Sequence, residues 1–317
     1  MTQLFDRDGD GGREITETLG FISDRVDFAV WRPILPLAIR DVAAITGREA
    51  VDALGAFYMN SCHPTADCPP AATIPLGFLR QAVALFAWLK IIPTLDAAHD
   101  VNGRTRRIGE NEKGLTALEQ YKDEANIRSL AYEATDALIE ALDRGAFAFW
   151  TTSPRYRQRQ GLLLKSKEDF DRYYVIGSHR LFMTLLPMVR EAQEGSVAPV
   201  LGRELLDGLL AGDPQLCRLL YDQAARATAL LAMKKAVERL PVEVLPEGIV
   251  QVNQTQPVTQ RLRAEKSARE AVAASLGADA ARYLQQLEDA VAELRSDGSA
   301  PDLYMPGPIA HSKGMSF

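Results

Sequence analysis

Cysteine is scarce in this 317-residue chain: Cys62, Cys68 and Cys217 are its full complement, an odd number and too few for a disulfide scaffold. That usage fits synthesis in a reducing, cytoplasmic compartment. Long hydrophobic runs are lacking too. The longest, Ala82 to Ile92, is interrupted by Lys90 and stops at Pro93, short of the roughly 20 residues that a membrane span requires. No transmembrane helix and no membrane partner are therefore expected. The first residues, Met-Thr-Gln-Leu-Phe and then an acidic stretch, have neither the basic region nor the apolar core of a secretory signal. Excess positive charge is missing as well: 36 Lys and Arg stand against 42 Asp and Glu, a net charge of -6, the wrong sign for a protein whose main partner is a phosphate backbone. Finally, there is no Gly-x-Ser-x-Gly elbow, phosphate loop, dinucleotide fingerprint or His-Glu-x-x-His. No catalytic residue, cofactor or metal is expected, and the chain reads as a non-enzyme.

What is present is ordinary globular composition, 47% hydrophobic and 25% charged, enough for two cores, and a phrase stated twice. Gly47-Arg48-Glu49-x-Val51-Asp52-x-Leu54 returns 155 residues later as Gly202-Arg203-Glu204-x-Leu206-Asp207-x-Leu209. A Pro-containing apolar helix precedes each copy (Pro36, Pro187), and an Ala-rich helix with Gln-Ala follows each (Gln81-Ala82, Gln223-Ala224). A repeat of this size is a domain-scale duplication rather than a solenoid. The Gly-Arg-Glu itself reads as helix punctuation, with Gly in a left-handed conformation ending one helix and Glu starting the next.

The predicted fold is mainly α, an internally duplicated helical bundle with a small β-hairpin in each repeat. Residues 1–15 form a flexible acidic leader, 16–143 the first repeat, 144–165 a linker, 166–295 the second repeat and 296–317 an extended C-terminal arm. Helices are expected over Thr16 to Val30, Trp31 to Thr46, Arg48 to Met59, Leu76 to Ile92, Asn111 to Asp143 and Val258 to Arg295. Asn102-Gly103 and Pro246-Glu-Gly248 mark the hairpin turns. Ser166 and Asp169 open a helix in a capping-box pattern. The arm carries Leu303, Tyr304, Met305 and Ile309 among Pro301, Pro306, Gly307 and Pro308, a composition suited to lie extended in a groove of a neighbouring subunit or partner.

Three constellations have chemical potential. Asp6-x-Asp8-x-Asp10-Gly11-x5-Glu17 fits the calcium-loop pattern of converging oxygens with Gly at the turn, but an entering helix has no room before it. A plain acidic leader is the alternative. Cys62, His63 and Cys68, with Asp67 nearby, offer soft ligands but not the two close pairs of a closed zinc site. His99, His179 and His311 are isolated. The basic clusters Arg104-Arg106-Arg107 and Arg155-Arg157-Arg159 read as solvated or protein-facing loops.

From Leu76 to about Leu240 the chain resembles an uncharacterised family of tailed-phage and prophage proteins encoded among virion-assembly genes. The matching residues are the helix Gln81 to Pro93, Trp150-x-x-Ser153-x-x-Tyr156, Asp169-Phe170-x-x-Tyr173-Tyr174-x-Ile176-x-Ser178-x-Arg180-x-Phe182-x-x-Leu185-x-Pro187, and Leu201-Gly202-x-Glu204-Leu205. In architecture the single repeat also resembles the head-tail connector (adaptor) proteins of long-tailed phages. The resemblance implies a virion protein of the neck, made in the host cytoplasm, that assembles as a homo-oligomeric ring, dodecameric by expectation. That ring would sit beneath the portal protein, touch other neck or tail proteins, and line a channel through which DNA passes without specific binding. The alternative is a cytoplasmic helical adaptor or regulator acting as a small oligomer.

Overall fold

Helix signals dominate the chain, and a computed structural model realises them over residues 2–22, 26–65, 68–95, 97–100, 103–106, 115–240 and 266–296, the residues it describes. The first half contains α1 (Gly11–Leu19), α2 (Phe28–Trp31), α3 (Leu35–Thr46), α4 (Arg48–Met59), α5 (Thr73–Leu95) and α6 (Ala117–Gly145). Two short helices follow, α7 (Ala148–Thr151) and α8 (Pro154–Gln160). The second half contains α9 (Lys167–Asp171), α10 (His179–Ala192), α11 (Ala198–Leu201), α12 (Arg203–Ala211), α13 (Pro214–Leu216), α14 (Asp222–Arg239) and α15 (Lys266–Ser296). One widened π turn, Gln193–Val197, fuses α10 to α11, and another, Cys217–Tyr221, fuses α13 to α14.

Local chemistry sets most boundaries. Thr116 and Glu119 form a reciprocal capping box, the Thr116 hydroxyl accepting from the Glu119 N–H at 3.3 Å and the Glu119 carboxylate from the Thr116 N–H at 2.8 Å, so α6 starts at Ala117. Ser166 and Asp169 form the capping box expected of them, at 3.1 and 3.2 Å. The helix expected over 16–30 is divided: α1 stops at Gly20, and the Asp27 carboxylate caps α2 by accepting from Ala29 N–H at 2.9 Å. The stretch 258–265, expected as helix, lies outside the described residues.

Each half closes on a pair of long helices, α5 with α6 and α14 with α15. The second pair is antiparallel. Arg226 reaches the Tyr283 hydroxyl at 3.4 Å, while Arg269, near the start of α15, donates to the carbonyls of Val237 at 2.8 Å and Leu240 at 3.1 Å, near the end of α14. α5 is the one helix among the described residues that is long and apolar enough, by length and composition, to cross a membrane. This corrects the reading of its apolar run as too short. Its apolarity is accounted for by the bundle itself, since Leu79, Ala82, Val83, Ala84, Leu85, Ala87 and Ile91 are fully buried between neighbouring helices.

Among the described residues the main core is one cluster drawing on side chains from Leu4 to Ala280, and a smaller one joins Leu163, Val197, Leu201, Leu205 and Leu209 to Leu287, Val291 and Leu294. α10 carries the main core between the halves, lying against α14, α6 and α3. Residues 1–15 are not a flexible leader where described: Leu4 and Phe5 are buried, Arg80 donates to the Leu4 carbonyl at 3.0 Å, and α1 begins at Gly11. Two apolar side chains next to an acidic stretch suffice to anchor it. The stretch 144–165 is likewise more than a linker, because α7 packs against α4 and Leu162, Leu163 and Leu164 are buried.

The two halves share their element order: a helix, a glycine corner, a short helix, then two long helices. Both corners, Gly47 (φ 91, ψ 149) and Gly202 (φ 77, ψ 165), lie in the positive-φ extended region rather than the left-handed helical one anticipated. That region is open essentially to glycine alone, which explains why the repeated phrase begins with it. A hairpin in each repeat is not seen. Ala97–Asp100 (β1) and Gly103–Arg106 (β2) pair antiparallel in the first half, Asp100 opposite Gly103, whereas the stretch 242–252, expected to mirror them, lies outside the described residues.

Candidate functional site

Two surface depressions of about 340 and 270 Å³ meet at Arg80, on the first turns of α5. Arg80 is one of two charged residues on the largely apolar α5, the other being Lys90, and the N-terminal segment folds over it. The Glu14 carboxylate on α1 takes a hydrogen bond from Arg80 and another from the Tyr58 hydroxyl, which lies 2.8 Å from both carboxylate oxygens. Arg7 closes the cluster: its N–H donates to the Tyr58 hydroxyl at 3.0 Å and its guanidinium to the Tyr58 carbonyl at 3.0 Å. The Arg80 guanidinium also lies over the rings of Phe5 (4.8 Å) and Tyr58 (5.1 Å). Acid, base and phenol are thus mutually engaged, an arrangement that clamps the N-terminal segment to α4 and α5.

Burial, with the Glu14 charge added to it, pushes the Tyr58 phenol up to about 12. A phenol whose folded-state value exceeds its unfolded value near 10 holds its proton longer when folded, so the stability it contributes is complete below about pH 10 and lost as pH rises towards 12. Tyr221, also pushed up to about 12 by burial, acts in the same sense. The melting temperature is therefore expected to fall across this alkaline window, and Tyr58→Phe to reduce the slope without abolishing it. Thermal melts at a series of pH values check this; an unchanged slope in Tyr58→Phe would show that the phenol does not govern it.

A second cluster sits where α6 ends. The Asp143 carboxylate accepts from the Trp150 indole N–H at 2.7 Å and from two guanidinium nitrogens of Arg159 at 2.9 and 2.5 Å. The Arg159 guanidinium lies 4.7 Å over the Tyr156 ring, whose edge faces Trp150, and Ser153 caps α8 by accepting from the Tyr156 N–H at 3.2 Å. Trp150-x-x-Ser153-x-x-Tyr156 is therefore a folded corner. Of the solvated and protein-facing alternatives expected for its cluster, Arg159 takes the protein-facing one, on a short helix rather than a loop; Arg155 donates to the Ala44 carbonyl, and Arg157 is exposed.

The third cluster organises the start of α10. Asp136 of α6 accepts from the Ser178 hydroxyl at 3.0 Å and the Arg180 N–H at 2.5 Å, Ser178 caps the helix, and Arg180 lies 4.0 Å over the Tyr132 ring. Asp171 accepts from the N–H groups of Ile176 and Gly177, and Phe170 meets Phe182 edge to face. The π turn adds a clamp on the segment leading into α9: the Gln193 side chain accepts from Leu163 N–H at 2.7 Å and donates to the Gly161 carbonyl at 3.0 Å, while the Tyr221 hydroxyl donates to the Leu163 carbonyl at 2.8 Å.

The calcium-like pattern does not assemble. Asp6 turns inward to accept from Gly11 N–H at 3.1 Å, Asp8 pairs with Arg7 at 2.8 Å, and Glu17 pairs with Arg13 at 2.8 Å. Among the described residues, no group of three or more His, Cys, Asp or Glu is placed to hold a metal ion. Cys62 lies in the turn after α4, where the His63 ring approaches the Asn60 carbonyl at 2.9 Å; Cys68 is buried, and Asp67 is outside the described residues. His179 lies 3.5 Å from Glu168; the backbone of His99 is on β1, and His311 lies outside the described residues.

Fold and clusters together define a mainly α-helical protein built by internal duplication. The model of a family of unknown function, DUF6712, matches residues 59–160 and again residues 197–297. The two matches take in more than half of the chain, which belongs to this family. Each matched segment contains one long helix pair, α5–α6 or α14–α15. The Gly-Arg-Glu phrase falls inside the second match but before the first, so the helix pair is the unit the two matches share. No curated protein and no solved structure matches the chain.

Proposed function

We propose that this chain is a structural virion protein, a head-tail connector that assembles as a ring beneath the portal and lines the channel through which DNA passes. The observation that carries the reading is where the residues of the phage resemblance go. Trp150, Ser153 and Tyr156 build a corner, Asp169 completes the capping box that opens α9, Phe170, Ser178 and Arg180 set the entry of α10, and Leu201 and Leu205 pack in the second core. What that pattern specifies is a rigid scaffold, and a duplicated scaffold suits side-by-side packing in a closed ring. A net charge of -6 suits a lumen that must not hold DNA.

Gradient-purified phage particles from a strain carrying the gene, analysed by quantitative mass spectrometry, test the reading. The protein is expected at a fixed copy number relative to the portal, and the purified chain mixed with portal is expected to give rings by negative-stain microscopy. A chain absent from particles and recovered only as a small oligomer from the host cytoplasm would overturn it in favour of a helical adaptor or regulator.

A further inference from the structure

The two cores meet along a boundary marked by both π turns. On the fused helix α10–α11, Ala192 belongs to the main core and Val197 to the smaller one, and the widened turn Gln193–Val197 makes the passage between them. The second π turn, Cys217–Tyr221, lies on the same boundary, because Tyr221 packs against both cores, as does Tyr283 of α15. A π turn holds one extra residue, which turns everything beyond it by roughly 100° about the helix axis. The helix α14 serves the two cores from different faces, Ala225 and Ala229 packing in the main one, Ala224 and Ala227 in the smaller.

One short segment is stitched across this boundary. Leu162 and Leu164 are buried in the main core and Leu163, between them, in the smaller one. Its backbone is held by side chains from the two π turns. Gln193 accepts from the Leu163 N–H at 2.7 Å and donates to the Gly161 carbonyl at 3.0 Å, and the Tyr221 hydroxyl donates to the Leu163 carbonyl at 2.8 Å. Gln193 is buried, so these bonds are costly to leave unmade. Lys165 extends the stitch by donating to the Leu210 carbonyl at the end of α12, at 3.3 Å.

We propose that α11–α13 and the last turns of α15 form a unit that opens from α14 while the main core stays folded, with the two π turns as its hinges and the Leu163 peptide as its latch. The unit's apolar contacts lie in the smaller core, so breaking them leaves the main core's packing between α5, α6 and α10 in place. The latch is polar and local: two side chains hold one peptide segment, and releasing them frees both hinges at once. The device is independent of the connector reading.

Native-state hydrogen exchange of the full chain at rising urea tests it. Amides 201–209 and 287–294 should share one opening energy and one denaturant slope, both smaller than those of the main-core amides 79–87 and 181–189. Gln193→Leu strands the Leu163 N–H and the Gly161 carbonyl and should speed exchange at 201–209 by roughly tenfold. Tyr221→Phe, a milder change, should speed it severalfold. Ile91→Val, which removes one methyl group from the main core on α5, should speed the main-core amides severalfold and leave 201–209 unchanged. A single slope shared by both sets of amides overturns the proposal, and so does Ile91→Val accelerating both sets alike, since either result makes the chain one cooperative unit. Unchanged exchange at 201–209 in both Gln193→Leu and Tyr221→Phe removes the latch and overturns it as well.

Discussion

Asp143→Ala is expected to destabilise the chain by about 3–5 kcal/mol, the usual cost of stranding one partner of a buried ion pair. The Arg159 side chain is only 4% exposed, and two of its nitrogens, together with the Trp150 indole, depend on this single carboxylate. Its Nε has no partner of its own. Removing the carboxylate therefore leaves a buried charge and an indole donor without their acceptor, with water able to approach only from the partly exposed Asp143 side. Adding Arg159→Met should recover much of the loss, because the methionine keeps aliphatic bulk against Trp150 and Tyr156 and carries no charge. Urea denaturation midpoints of the two single variants and the double variant measure the coupling. An Asp143→Ala cost below about 1 kcal/mol would place the pair among ordinary surface bridges.

The corner shows what could be read from sequence and what could not. Trp150, Ser153 and Tyr156 form a local motif, and Ser153 as a helix cap before Pro154 follows from short-range rules. The partner Asp143 belongs to the preceding helix and Arg159 to the following one, so no local spacing distinguishes Arg159 from its exposed neighbour Arg157. α4 was legible to the residue, because Gly47 opens it and its apolar face repeats at helical spacing. The N-terminal segment was misread because its charge outnumbers its two apolar anchors, while the groove that receives Leu4 and Phe5 is made by α4 and α5 far along the chain. Arg80 in an apolar helix was the one available signal for the Glu14–Tyr58 cluster. Its acidic partner is 66 residues away, a pairing that only the packing of α1 on α5 creates.

The duplication leads to a pair of substitutions that should act in parallel. Gly47 and Gly202 adopt nearly the same backbone conformation, φ 91 and ψ 149 against φ 77 and ψ 165, where a Cβ costs on the order of 1–3 kcal/mol. Gly202→Ala is expected to lower stability by about that much, from the backbone. Gly47→Ala should add a steric cost to the same backbone cost, because the new methyl would stand 3.0 Å from Arg155 Cγ and 3.3 Å from Glu49 Oε2, forcing the arginine off the end of α3. Combining Gly47→Ala with Arg155→Ala removes the contact but not the backbone strain, so the double variant should retain a deficit comparable to that of Gly202→Ala. Denaturant unfolding of the three variants separates the two contributions. A neutral Gly202→Ala would mean that this corner tolerates a side chain, and that the repeated glycine is not held by a shared backbone geometry.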